Sequence, residues 1–511
     1  MSESRTHRTK SGLIWGLVNK AISLVLPFLS RTIIIYELGV QYVGLGSLFH
    51  SILTVLSLAE LGIGSAIVYS MYEPLAKGDD KKVKEMLSFY RSCFRIIGLV
   101  ILCIGLAVIP FLDRLILKDT PQGINIYLLY LIYLVNTVIS YFMFAYKKSI
   151  LQANQRLDII SNVSSATLLL QNLIQIILLV MTKSYYLFAL VIVAASLADN
   201  LQTAYWCRRL YPQYICEGRI ERDQLRAVTK NVVGLFSQKI GTVVLSTVDT
   251  LVISAFLGLT VLSVYQNYYL IITSLFGILT IISNTLIPAV GNSMVTESKE
   301  KNYSDFKLFN FIFMWIVSWF SICLLCLTQP FVNIWIKDKE LHLPAEYILL
   351  FALYFFFYKW GDMLYVYVEA AGIWWSNRFY PIIGALVNLV VNIVLVQKIG
   401  LYGILLSTIL SVIFVYDFGY ARVLFKYYFS GQNNLRGYVL RQLFYLVCTL
   451  IAGGATYGAC SLVHGSLWME LILRGAICAV LPNIFLVFLY SRTKEEREGC
   501  QFVRKMIGSR G

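Results

Sequence analysis

The sequence predicts an all-α, polytopic membrane protein of about fourteen transmembrane helices, and three observations carry that prediction. Hydrophobic residues make up 58% of the 511 positions and charged residues only 14%, where soluble domains carry about a quarter charged residues. Apolar runs recur along the chain, each near or above the roughly 20 residues that cross a bilayer as helix, and none resembles the ~10-residue alternating segments of outer-membrane barrels. Lys and Arg, finally, fall on alternate connecting segments at about five to one, which fixes an orientation with both termini in the cytoplasm.

Taken in order, the runs lie near 11–37, 41–72, 87–112, 124–146, 159–182, 184–207, 231–257, 261–291, 308–329, 344–369, 379–397, 401–421, 440–461 and 468–490. The first follows a basic stretch with Arg5, Arg8 and Lys10. It is too long for a signal-peptide core and lacks a small-residue cleavage site, so it reads as a retained span. Pro27 predicts a kink within it. The +15 net charge is mostly the cytoplasmic bias of these connections, and nucleic-acid binding is excluded as its explanation. The ten cysteines are scattered. Cys323 and Cys326 share one apolar helix without a second pair to complete a metal site, so neither metal nor disulfide is expected.

An internal repeat organises the chain. Residues 20–45, KAISLVLPFLSRTIIIYELGVQYVGL, align without gaps on 239–264, KIGTVVLSTVDTLVISAFLGLTVLSV, at an offset of 219. Lys20 matches Lys239, and Leu38-Gly39 matches Leu257-Gly258. Six spans separate the copies, so both run in one direction, as in transporters whose parallel halves rock around a central site. The expected division is an N-lobe over 1–230 with spans one to six and the cytoplasmic linker, a C-lobe over 231–423 with spans seven to twelve, and 424–511 with the two extra spans and a tail. The lobes are expected to be related by a pseudo-twofold axis. No segment outside the spans is long enough for a catalytic domain, and the chain reads as no enzyme.

Charged groups inside spans cost about 2.5–3.5 kcal/mol each at the helix centre, so each is a candidate for function. Lys20, Arg31 and Lys239 are candidate cations of a central cavity. Glu60, Asp249 and Asp362 are candidate cavity or coupling carboxylates, with room for proton or sodium coupling and no other cofactor. For Lys20 and Lys239 the competing reading is snorkelling to the cytoplasmic interface. Arg31 and Asp249, at neighbouring aligned positions, are expected to pair across the halves in one state. Gln171 and Gln175 continue a stripe with Ser164 and Thr167 on one helical face, and Asn388 and Asn392 stand four apart. They are either a polar cavity wall or interhelical hydrogen bonds. The Tyr265–Tyr269 cluster could offer amphipathic faces to sugar rings.

The stretches LSLAELGIGSAIVYSMYEPLAKGD (56–79) and STVDTLVISAFLGLTVLSVYQNYYLI (246–271) resemble signature stretches of bacterial polysaccharide (O-antigen-type) flippases, within the multidrug/oligosaccharidyl-lipid/polysaccharide exporter superfamily. The resemblance covers most of the chain. It implies translocation of a polyprenyl-diphosphate-linked oligosaccharide from the inner to the outer leaflet of the bacterial cytoplasmic membrane, by alternating access. Implied partners are the lipid-linked oligosaccharide, membrane lipids, and the polysaccharide polymerase and glycosyltransferases of the same pathway. In the related lipid II flippases, basic residues on the first span and its C-lobe counterpart face a central cavity; Lys20 and Lys239 stand at the matching places, where Arg is common. Lys is a point charge rather than a bidentate fork, so the phosphate geometry differs. Two rivals remain: a drug or cation antiporter of the same superfamily, which Asp199, Asp249 and Asp362 keep open, and a membrane glycosyltransferase or polymerase, for which no catalytic loop is evident.

Overall fold

The computed structural model describes residues 25–60, 63–116, 119–220, 240–241, 243–430 and 435–491. Those residues are helical with tight connections and contain no strand. Among the described residues, ten helices are long and apolar enough to cross a membrane, or eleven if the bent pair Ile126–Phe142 and Ala145–Ala153 is one span. Gln41–Leu56 and Val243–Leu257 are shorter apolar helices. Each of the expected runs carries helix. This is the fold of a multi-pass, all-α membrane protein.

The chain separates into two compact units, Met1–Ser263 and Val264–Gly511. In the first lie α1 (25–37), α2 (Gln41–Leu56), α3 (Ile63–Lys77), α4 (Asp80–Val108), α5 (Ile126–Phe142), α6 (Lys148–Ala153), α7 (Leu157–Thr182), α8 (Tyr185–Leu210) and α9 (Val243–Leu257). Helix α10 (Leu259–Thr296) begins there and continues into the second unit. The second unit adds α11 (Lys299–Trp335), α12 (Ala345–Trp360), α13 (Asp362–Ala370), α14 (Phe379–Ile399), α15 (Leu401–Ser411), α16 (Phe418–Tyr427), α17 (Leu435–Ser461) and α18 (Leu467–Tyr490).

Several spans expected as single rods are interrupted. The run 41–72 breaks into α2 and α3 around a 3₁₀ turn at Ser57–Glu60. The run 124–146 bends by 50° after Phe142, where Phe144 takes a left-handed backbone at φ 63°. The run 344–369 breaks at Gly361 between α12 and α13. Between α15 and α16 the backbone widens into a π-helical turn over Val412–Asp417, a feature that recurs at functional sites. Conversely, α10 and α11 have 38 and 37 residues; at 1.5 Å per residue they are about 57 and about 56 Å long, well beyond a ~30 Å hydrocarbon core.

Small residues and aromatic rings set the packing. In the first unit Phe49 meets the rings of Tyr130 and Tyr133 at 5.5 and 5.6 Å, and Tyr130 donates to the Gly105 carbonyl at 3.1 Å. A Cβ at Gly44 would lie 2.5 Å from the Leu259 carbonyl oxygen, so α2 and the start of α10 touch backbone to backbone. In the second unit α11 is the hub. Trp319 donates to the Cys478 carbonyl at 2.8 Å, Trp315 to Asn483 at 2.9 Å, and Thr449 to Ser318 at 2.7 Å. The two helices left over from the six-plus-six scheme, α17 and α18, therefore dock on α11. Outward faces such as Leu170, Leu173, Ile177 and Met181 on α7 are exposed and apolar, as lipid contact demands.

The aligned repeat ends in the same turn twice. Gly39 and Gly258 both adopt positive φ, 116° and 94°. The Gly39 N–H donates to Ile34 and the Gly258 N–H to Ile253, each at 3.1 Å. Ile34 and Ile253 are themselves 219 apart, so one left-handed glycine cap closes both copies.

Candidate transport site

Lys20 and Lys239 lie outside the described residues. The remaining predicted residues are placed as follows. Arg31 is half-buried on α1; beside it Ser30 donates to Asn172 of α7 at 2.6 Å. Asp249 is buried on α9, among Thr247, Thr250 and Ser254, at 4% exposure. Ser254 donates to the Leu115 carbonyl at 2.6 Å and ties α9 to the end of the third span. Arg31 and Asp249 both fall in the first compact unit. Glu60 sits in the turn after α2 and accepts from the Tyr141 hydroxyl of α5 at 2.5 Å.

The polar-wall expectation is corrected for three residues. Gln175 is 2% exposed, and its amide donates across to the Phe188 carbonyl of α8 at 3.0 Å. Asn388 and Asn392 are fully buried. Asn388 donates to Thr408 of α15 at 2.9 Å and Asn392 to Asn388 at 3.2 Å, while Ser407 donates to Asn392. A residue lining a wet chamber would keep accessible polar atoms; these join helix to helix. Gln171 is half-buried and donates to Gln175 at 3.4 Å. The tyrosine expectation is corrected for Tyr265 and Tyr268, while Tyr269 is half-buried. Tyr265 and Tyr268 are each 1% exposed and pack on Phe351 at 5.7 and 6.0 Å between ring centres, which leaves them no face for a sugar.

Asp362 belongs to a buried polar cluster at the Gly361 break. Lys359 stands in the last turn of α12 and Asp362 opens α13, and the ammonium lies 2.9 Å from the carboxylate three residues on. Ser283 of α10 donates to the same oxygen at 3.3 Å, and Lys359 lies over the Phe276 ring at 5.1 Å. Lys359 is 5% exposed, so each charge depends on the other. On the opposite side of the break Gln442 of α17 donates to the Trp360 carbonyl and to Asn310 of α11, both at 3.1 Å. Asp417, the last residue of the π-helical turn, packs so closely that a Cβ on Gly361 would sit 1.9 Å from its Oδ1. Sequence reasoning missed Asp417. An isolated Asp in the apolar run VIFVYDFGY was the available signal.

The remaining carboxylate of interest, Asp199 on α8, is paired with Lys148 at 3.7 Å and accepts from Ser164 at 3.0 Å. The cysteine reading needs amendment: Cys326, Cys460 and Cys478, from α11, α17 and α18, are buried with their sulfurs within 4.8 Å of one another, a proximity that spacing along the chain could not reveal. Three thiols at that separation match the ligand types of soft metals.

A cavity of about 590 Å³ opens in the second unit among α11, α12, α17 and α18. Its walls are mostly apolar, with Ile322, Leu325, Leu349, Phe356, Leu446 and Leu450. Gln329, Asn333, Glu346, Glu470 and Arg474 supply polar groups to the same cavity, and Arg474 is ion-paired with Glu470. Such a lining, mostly apolar with a few polar groups, suits an amphiphile.

Comparison with known proteins places this architecture. The sequence model described as lipid II flippase MurJ matches residues 53–476. No curated protein matches the chain. Among solved structures, one described as lipid II flippase MurJ in an inward closed conformation superposes with a TM-score of 0.61 at 16% identity, covering 94% of this chain and 99% of that one. A multidrug/oligosaccharidyl-lipid/polysaccharide superfamily transporter from Pyrococcus furiosus gives 0.52 at 14% identity, covering 80% and 94%. An outward-facing multidrug-resistance transporter of the same superfamily gives 0.51 at 14%, covering 81% and 96%. These likenesses show the fold. The match over 53–476 spans most of the chain and reaches from α2 into α18. The protein is thus a multi-pass membrane transporter rather than an enzyme, and it belongs to the lipid II flippase MurJ family.

Proposed function

We propose that the protein flips a polyprenyl-diphosphate-linked oligosaccharide from the inner to the outer leaflet of the bacterial cytoplasmic membrane, for assembly of a cell-surface polysaccharide. The observation that carries this reading is the family match over residues 53–476. A diphosphate and a glycan cannot cross hydrocarbon unaided, and a cationic, water-filled chamber offsets the cost of moving them. Lys20, Lys239 and Arg31 supply its positive charge, with Asp249 and Glu60 as its acidic counterparts. Two lobes, 1–230 and 231–423, alternate access around it with both chain ends in the cytoplasm. Arg31 and Asp249 pair in one state, and exchanging the two charges restores the transport that either single substitution removes. The cavity among α11, α12, α17 and α18, mostly apolar with a polar patch, suits the isoprenoid chain close to its charged head.

A second reading, in which the cargo is lipid II itself, is favoured by the name of the matching family. Deleting the gene and analysing the polyprenyl-linked intermediates that accumulate separates the two. Build-up of a lipid-linked polysaccharide repeat unit supports the first; build-up of lipid II supports the second. An unchanged pool of polyprenyl-linked sugars contradicts both.

A further inference from the structure

Three thiols from three helices meet in the second unit. Cys326 of α11, Cys460 of α17 and Cys478 of α18 are each 1% exposed, and their sulfurs all lie within 4.8 Å of one another. The Cys460 and Cys478 sulfurs are 4.0 Å apart. Buried cysteine often serves as a small apolar filler, but a filler needs no partner of its own kind. Cys326 and Cys478 each stand four residues before a proline inside their helix, Pro330 and Pro482. A proline there removes the N–H that would bond the cysteine carbonyl and favours a bend. The Cys478 carbonyl is taken by α11 instead: Trp319 donates to it at 2.8 Å and the Cys323 thiol at 4.0 Å. Thr449 to Ser318 at 2.7 Å and Trp315 to Asn483 at 2.9 Å tie the same three helices together. The sulfurs therefore stand on rigid, cross-linked elements, as a ligand site requires. Arg474, one turn before Cys478, lies close to Cys460 and Cys478. It is ion-paired with Glu470, yet its Nε is buried without an acceptor. Cys326 and Arg474 both line the cavity of about 590 Å³, which gives an ion a way in.

We propose that Cys326, Cys460 and Cys478 form a binding site for one copper(I) ion. A metal bonded at about 2.3 Å to three sulfurs in one plane needs those sulfurs about 4.0 Å apart. The Cys460–Cys478 separation has that value already, and the third sulfur lies within an ångström of it. Soft thiolate donors select copper(I), zinc or iron–sulfur clusters. A closed zinc site takes four ligands, and no histidine or carboxylate joins the trio among the described residues. Copper(I) is complete with three. Each sulfur that ligates as thiolate releases its proton, and no electron moves, because the ion enters already reduced. The complex is anionic, and the buried Nε–H of Arg474 offers it a nearby donor without another acceptor. Filling the site ties α17 and α18 to α11 beside the cavity that these helices line. The site itself does not rest on the flippase reading.

The test uses the full-length protein in lipid nanodiscs without any lipid-linked sugar. Accessible thiols are first alkylated in the folded protein, which leaves the buried trio reduced. Copper(I) is then supplied without oxygen from a competing chelator. Wild type is expected to take one ion per chain, to show three sulfur ligands by X-ray absorption, and to unfold at a higher temperature once loaded. Cys326→Ser, Cys460→Ser and Cys478→Ser are each expected to weaken binding by about 100-fold or more, and Cys448→Ser, elsewhere on α17, to leave it intact. Unfolding of each variant without copper shows that it has kept its fold. Should a variant not fold, the ligand count in wild type still decides. No copper bound, fewer than three sulfurs around it, or unchanged affinity in the folded trio variants would overturn the site. So would zinc bound as tightly in a four-ligand site, or a Cys460–Cys478 disulfide found by mass spectrometry in protein isolated without reductant. Because binding is read without substrate, a protein that holds copper yet moves no lipid-linked sugar refutes the flippase reading alone.

Discussion

Lys359 illustrates how a single buried charge ties sequence to stability. It was recognisable because it interrupts an aromatic run, FALYFFFYKW, in which no other ionisable group but tyrosine appears. Its partner three residues on is now seen at 2.9 Å. Removing one member of a buried ion pair leaves the other uncompensated, at a cost of about 3–5 kcal/mol, whereas removing both is close to neutral. Lys359→Ala is therefore expected to lower thermal stability sharply, and Lys359→Met combined with Asp362→Asn to recover most of it, as measured by unfolding in detergent. Equal damage from the single and double variants would contradict the pairing. Other residues were legible only in part. The four-residue spacing of Asn388 and Asn392 said that they share a helical face. It did not say which face, and the answer depends on Ser407 and Thr408 of the following helix. Asp417 went unread because its significance comes from Gly361, more than fifty positions away in the chain.

Helices were the most legible feature, since runs of about 20 apolar residues leave the backbone no other way to satisfy its hydrogen bonds in lipid. Their interruptions were not. The bend after Phe142 and the break at Gly361 contain no proline. They reflect tertiary demands, such as the close seat of Asp417 on Gly361. The turn that closes each copy of the repeat, in contrast, was written in the sequence as Leu-Gly at equal offsets. Gly39 and Gly258 hold φ values of 116° and 94°, a region that costs an L-residue roughly 1–2 kcal/mol. Gly39→Ala and Gly258→Ala should each destabilise the protein by about that amount, and by similar amounts, in paired unfolding measurements. A neutral effect at either position would mean that the cap does not set the entry of the following helix.

For the whole molecule, composition and charge bias were enough to read a multi-pass membrane protein, and the family match agrees on a transporter of the flippase type. The superfamily was legible from the stretches at 56–79 and 246–271. The polysaccharide branch was a finer inference than those residues could carry, because helix-forming signatures record the shape of a transporter more than the chemistry of its cargo. The central claim, that paired cations receive a diphosphate head between two lobes, is most directly tested in proteoliposomes containing a fluorescent polyprenyl-diphosphate oligosaccharide. Its movement between leaflets is read by loss of accessibility to an external reagent. Wild-type protein is expected to move it well above the rate of protein-free liposomes, and the correctly inserted double variant Lys20→Ala, Lys239→Ala to fall back to that background. A wild-type rate equal to empty liposomes, or a double variant as fast as wild type, would contradict the account.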